Sequence, residues 1–145
     1  MTLIQNEAPI IPFVGLGRIT LYSTIDELRD ILSLSNSTCC IINGNWIRYD
    51  IQNCIELYFH RENQKLFRIT TLDDYRGTLF GTITIGTTEE EMLKAEPSFI
   101  YDDFEETWES IKGVFIEMDA QTNTVRWISV YIKELDTEEF EQANW

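Results

Sequence analysis

Two kinds of hydrophobic spacing alternate along the chain. In IELYFH, residues 55–60, Ile55, Leu57 and Phe59 fall at every second position, and Val114, Ile116 and Met118 do the same in VFIEMD, residues 114–119. A period of two places apolar side chains on one face of a strand and polar ones on the other, which predicts an antiparallel sheet with one side covered. Each run continues through a polar turn into a second β-rich run, so residues 55–70 and 114–129 read as hairpins. The second of these runs into VRWISVYIK, a strand over 125–133. Helical spacing is found in IDELRDILSL, where Ile25, Leu28, Ile31 and Leu32 form a stripe; Asn43-Gly44 then marks a tight turn within CCIINGNWIRYDI. EEEMLKAEP predicts a helix that stops at Pro97. In SFIYDDFEETWESI the pattern serves two readings: Phe104, Trp108 and Ile111 suit a helix face, while Phe99, Ile100 and Tyr101 suit a strand.

The elements recur. GRITLYSTIDEL (17–28) and GTITIGTTEEEM (81–92) match at an offset of 64, each reading as a strand, a turn and a helix opened by a capping box, Thr24 with Glu27 and Thr88 with Glu91. IELYFHRENQKLFRIT (55–70) and VFIEMDAQTNTVRWIS (114–129) align without a gap at an offset of 59. The expected fold is α+β: two tandem strand-helix-hairpin repeats, about residues 15–75 and 78–135, forming a mostly antiparallel sheet with helices on one face. Asp73-Asp74-Tyr75-Arg76-Gly77 reads as the link between the halves, and residues 136–145 as a short acidic tail that forms a helical turn or trails into solvent. All 145 residues make one domain, a length that supports a real core without metals or disulfides.

The doubled I-T-[LI]-x-x-T-x-x-E-[LM] segments and the hairpins after them resemble the tandem α+β repeat of the bacterial β-lactamase inhibitor protein and of the outer-membrane assembly lipoproteins. That resemblance implies an architecture whose concave sheet face often holds another protein. The inhibitor's disulfides and the lipoprotein's lipidated cysteine have no counterpart here, so those functions do not follow.

Charge separates the halves more sharply than the repeat joins them. Residues 1–88 hold seven basic and nine acidic groups, a net of −2, whereas residues 89–145 hold four basic and sixteen acidic, a net of −12. Repulsion disfavours direct phosphate or nucleic-acid binding by the second half, and a cationic partner is steered toward it. Pro9 and Pro12 interrupt the early apolar run and no basic stretch precedes it, so neither a signal peptide nor a membrane span is expected, and the protein reads as cytoplasmic. Cys39, Cys40 and Cys54 lack C-x-x-C spacing and a nearby histidine, which points to reduced thiols and not to a disulfide framework or a zinc site. Asn36 heads an N-S-T triplet, which carries no meaning in a cytoplasmic chain.

Catalytic constellations are not evident. His60 lies where a strand meets a turn and reads as a hairpin-end residue, and Gly15-Leu16-Gly17 lacks the third glycine of a dinucleotide loop. The carboxylate pairs Asp102/Asp103 and Glu105/Glu106 come without a calcium-loop pattern or histidine ligands. The expectation is therefore no catalytic residue, no metal site and no cofactor.

FIYDDFEETWESIKG, residues 99–113, sets five carboxylates and a single lysine among Phe99, Tyr101, Phe104 and Trp108. Unbalanced acids repel one another, and aromatic rings among charges are typical of protein interfaces. In length, acidity and want of catalysis the chain resembles the immunity proteins that bacteria pair with secreted toxins, including those of contact-dependent growth-inhibition systems. The resemblance implies a one-to-one complex in which carboxylates imitate the phosphates bound by a basic nuclease toxin domain. Its centre is expected at Tyr101, Asp102, Asp103, Glu105, Glu106 and Trp108. The alternatives are an acidic secretion chaperone or adaptor, and a small ligand-binding domain or enzyme whose pocket Glu56, Tyr58 and His60 line.

Overall fold

The alternating runs form strands of one sheet in the computed structural model, which describes residues 4–35, 40–42 and 44–145. A two-stranded ribbon comes first, β1 (Gly15–Leu16) with β2 (Ile19–Thr20), followed by the short helix α1 (Arg29–Leu32). The first half then lays down β3 (Cys40–Ile42), β4 (Trp46–Ile51), β5 (Ile55–His60) and β6 (Leu66–Thr71) as an antiparallel meander. Helix α2 (Glu89–Ala95) precedes the second meander of β7 (Ile100–Asp102), β8 (Thr107–Ser110), β9 (Val114–Asp119) and β10 (Thr124–Tyr131), and α3 (Glu138–Glu141) follows it. The two meanders meet last strand to last strand, so the eight-stranded order is β3-β4-β5-β6-β10-β9-β8-β7. At that seam Ser129 pairs with Thr70 and Val130 with Ile69.

Alternation sorts the side chains by face. Ile55, Leu57, Phe59 and Ile69 from the first meander and Val114, Ile116, Ile128 and Val130 from the second are fully buried in a single core. The N-terminal segment and the segment around α2 supply the other layer through Leu16, Ile19, Leu21, Leu79, Ile83 and Met92. Burying such a side chain stabilises the fold by about 1.5–3 kcal/mol. Asn36, Cys39 and Asn43 lie outside the described residues; Cys54 is a buried free thiol, which burial pushes up in pKa.

The helix expected over residues 25–34 contracts to the four residues of α1. Its stripe of Ile25, Leu28, Ile31 and Leu32 still packs against the core. The Thr24/Glu27 capping box also forms, at 2.9 and 3.1 Å. The Ile25 N–H, however, donates to the carbonyl of Gln64 and ties the first turn to the β5–β6 hairpin. In the second half the Thr88/Glu91 box opens seven helical residues, with three glutamates in the first turn, where the helix dipole favours them. Residues 99–113, which served both a helical and an extended reading, form the β7–β8 hairpin. Trp108 pairs with Ile116 of β9, while Phe104 and Ile111, the other members of the would-be helix face, stand out in solvent.

The acidic tail folds back against the end of the first meander, with Phe140 part of the core and against His60 and Phe67 of β5 and β6. Phe140 is buried and stacks on Trp145 with ring centroids 5.7 Å apart. Together they cover Phe67 and His60 at the end of the first meander, and Lys65 Nζ donates to the Trp145 carbonyl at 3.0 Å. The link holds through Tyr75, fully buried, whose hydroxyl accepts from the Gly17 N–H (2.8 Å) and donates to the Ala8 carbonyl (2.5 Å). Phe140→Ala is expected to cost about 3–5 kcal/mol, as removal of a buried aromatic does. Urea denaturation followed by tryptophan emission checks this, and an unchanged midpoint would mean that the tail contributes no stability.

Candidate functional site

The β7–β8 hairpin carries all six residues singled out over 101–108 and divides them among three surroundings. Tyr101 and Trp108 are cross-strand partners whose rings meet edge to face at 5.1 Å. Trp108 is half-buried and its indole Nε1 donates to Glu89 of α2 at 3.1 Å, so this ring supports the hairpin from the helix side. Asp102 alternates to the opposite, open side of the sheet. Asp103, Glu105 and Glu106 surround the turn, exposed, with Phe104 among them at 90% exposure. Glu106 takes a left-handed backbone conformation with φ 57°, which closes the four-residue turn. Ile100 and Ile111, 71% and 89% exposed, complete an uncovered rim that charge patterning did not single out.

Asp102 organises the turn as well as carrying charge. Its Oδ1 accepts the N–H of Glu105 (3.1 Å) and of Phe104 (2.9 Å), and these bonds hold its carboxyl below the usual aspartate range. Across the strand pair it lines the same cavity as Glu109. Glu109 behaves in the opposite way: partial burial first, then the neighbouring carboxylates of Asp102 and Asp136, push its carboxyl up despite a hydrogen bond from the Thr107 hydroxyl at 3.0 Å.

Next to this pair the open face of the sheet forms a cavity of about 430 Å³, lined by Asp102, Glu109, Glu117, Phe115, Tyr131 and Arg68, among others. Arg68 is held between two aromatic rings, its guanidinium carbon 4.7 Å from the centroid of Tyr58 and 4.7 Å from that of Phe115. It donates to the hydroxyls of Thr70 (3.2 Å) and Ser129 (3.4 Å), and burial pushes its pKa down. Arg68 and Phe115 escaped notice in the sequence, where the signal was an arginine set between buried Phe67 and Ile69 at a position the alternation assigns to the polar face.

On the first meander the open face is neutralised from within. Arg48 pairs with Asp50 at 3.3 Å and with Glu56 at 4.0 Å, and the Tyr58 hydroxyl donates to Glu56 at 3.0 Å. Burial pushes the Glu56 carboxyl up and the Tyr58 hydroxyl up to about 12. Glu56 and Tyr58 thus stand together, but His60 lies beneath Phe140 and Trp145, fully buried. Its Nδ1 accepts the Glu62 N–H at 3.1 Å, and among the described residues its Nε2 has no hydrogen-bond partner. The tail therefore shuts the histidine away from any ligand that meets Glu56 and Tyr58.

The folded protein holds the Glu109 proton more tightly than the unfolded chain does. That contribution to stability is present while the carboxyl is protonated and is lost as pH rises through the raised value. Glu109→Gln is therefore expected to raise the urea midpoint above the ordinary glutamate range and to leave it unchanged in acid. Denaturation series between about pH 4 and pH 8 check this. A variant that tracks the native protein throughout would remove the coupling between Glu109 and Asp102.

Among the described residues, no group of three or more His, Cys, Asp or Glu side chains is arranged to hold a metal ion, and no helix is long and apolar enough to cross a membrane. No protein family and no curated protein matches the chain. Its fold is similar to that of a solved structure, a cysteine-rich secretory protein (SAV1118) from Staphylococcus aureus subsp. aureus Mu50, with a TM-score of 0.56 and 10% sequence identity. The likeness covers 93% of this chain and 52% of that one, so the chain spans about half the length of its structural neighbour and shares an architecture with it.

Proposed function

We propose that the protein is an immunity-type inhibitor, which binds a cationic toxin domain one to one in the cytoplasm of the cell that makes it and performs no chemistry of its own. One observation carries this reading: the β7–β8 hairpin leaves Phe104, Ile111 and Ile100 uncovered within the half of the chain that bears a net charge of −12. Apolar side chains held out in water by a strongly acidic frame make up the two components of a fast and durable interface. Charge accelerates encounter with a cationic surface, and desolvated rings and aliphatic groups slow dissociation. A nuclease toxin offers such a surface, with the carboxylates taking the places of its phosphates. Trp108 leaves the contact set in this reading and becomes a support, while Phe104 enters it.

We further propose that the scaffold is a duplicated strand-helix-hairpin unit, as the resemblance to the β-lactamase inhibitor protein implies. Six hydrogen bonds, three in each half, support this. The N–H groups of Tyr22, Ile25 and Leu66 donate to Leu66, Gln64 and Ser23, and those of Gly86, Glu89 and Val125 donate to Val125, Asn123 and Thr87, at the same offsets of 64 and 59. The bridge of Thr24 to Lys65 likewise has its counterpart in Thr88 to Thr124. A second reading, a small-ligand site, is favoured by the cavity beside Arg68 and the raised Glu109.

Co-expression with a toxic domain encoded beside its gene tests the proposal. The intact protein is expected to restore growth. Asp103→Asn/Glu105→Gln/Glu106→Gln, which spares the turn-forming Asp102, is expected to slow association by about tenfold or more and to flatten its salt dependence. Phe104→Ala is expected to speed dissociation. Toxicity that the intact protein does not relieve would turn attention to the cavity.

A further inference from the structure

We infer that β7 accepts an extended, basic segment of the partner as a ninth strand of the sheet, an inference that rests on the acidic hairpin being the partner-binding surface. Among the described residues β7 ends the sheet and pairs with β8 alone, so one row of its backbone N–H and C=O groups has no described strand beside it. Proteins blunt such an edge with proline, lysine, a bulge or a covering helix. The strand Ile-Tyr-Asp carries neither proline nor lysine, its register with β8 is regular over all three pairs, and its side chains remain open, Ile100 at 71% and Tyr101 at 43% exposure. What guards it is negative charge, from Asp102 within the strand and Asp103 just beyond it.

That form of protection is selective. Pairing with a second copy of β7 would bring the aspartates of two acidic hairpins together, and like charges set opposite one another destabilise a strand pair. An extended segment with lysine or arginine opposite Asp102 and Asp103 meets attraction instead, and with apolar residues opposite Ile100 and Tyr101 it covers surface that is now wet. Main-chain hydrogen bonds then supply affinity, and the alternate side chains supply choice of partner. The exposed Phe104 stands beyond one end of the strand. The occupant fits a cationic partner that offers an extended loop or terminus, and it does not fit one that presents only a convex helical surface.

The test is a titration of the isotopically labelled full-length protein with acetyl-Lys-Lys-Val-Val-Val-amide. A second peptide carries methyl groups on its three valine nitrogens, which keeps charge and bulk but removes the donors. Strand addition predicts shifted and exchange-protected amides at residues 100–102, binding at least about tenfold weaker for the methylated peptide, and weaker binding of both peptides by Asp103→Asn or in high salt. Equal affinity for the two peptides, no binding, or shifts confined to the cavity beside Arg68 would overturn it. Growth rescue by the intact protein together with any of those results would leave the toxin reading standing and remove only strand addition. A peptide bound along β7 with no rescue would do the reverse.

Discussion

Everything in this molecule hangs on the antiparallel contact between β6 and β10. Each half of the chain makes a four-stranded meander whose final strand would otherwise be an open edge, and the two edges cover each other. The join is polar on one side and apolar on the other. Ile69 and Val130 enter the shared core, while the Thr70 and Ser129 hydroxyls lie 2.7 Å apart on the open face and also receive Arg68. On the covered side the Ile128 N–H donates to the Thr71 hydroxyl at 3.0 Å, so the seam leaves little unsatisfied. A single continuous core follows, and with it a single open face some eight strands wide.

The two ends of that face are treated differently, and the difference is electrostatic. Over the first meander, Arg48 answers Asp50 and Glu56, and the tail lays Phe140 and Trp145 across the end near His60. Over the second, Asp102, Glu109 and Glu117 face one another with Arg68 as the cation held on that surface by aromatic rings. Charges of one sign, partly withdrawn from water, raise the carboxyl pKa of Glu109 and leave a surface whose energy falls when a cation arrives. The hairpin beyond it adds apolar side chains at the free edge. The two ends of the face thus differ in charge balance.

The sequence by itself determined the strands. Period-two spacing in residues 55–60 and 114–119, the capping boxes at Thr24 and Thr88 and the charge imbalance of the second half are local properties, written in neighbouring residues. Those local signals survive folding. They were weaker where local preference competes with pairing. Ile25 to Leu32 carries a helical stripe, yet the bond from Ile25 to Gln64 fixes its first turn against a hairpin about forty residues away. Residues 99–111 suit helix or strand equally well in isolation, and β9 decided for strand by pairing with Trp108.

Only the tertiary structure decided which acids act together and which rings are free. Asp102 and Glu109 line one cavity because β7 and β8 pair, although seven positions separate them. Trp108, which in sequence stands among the acids like an interface residue, is turned toward Glu89, while Phe104 projects from the turn. Arg68, Tyr58 and Phe115 come from three strands and meet only after β6 and β10 have joined. Composition and spacing record what each segment prefers. The positions of these groups follow from long-range strand pairing, whose register depends on partners elsewhere in the chain.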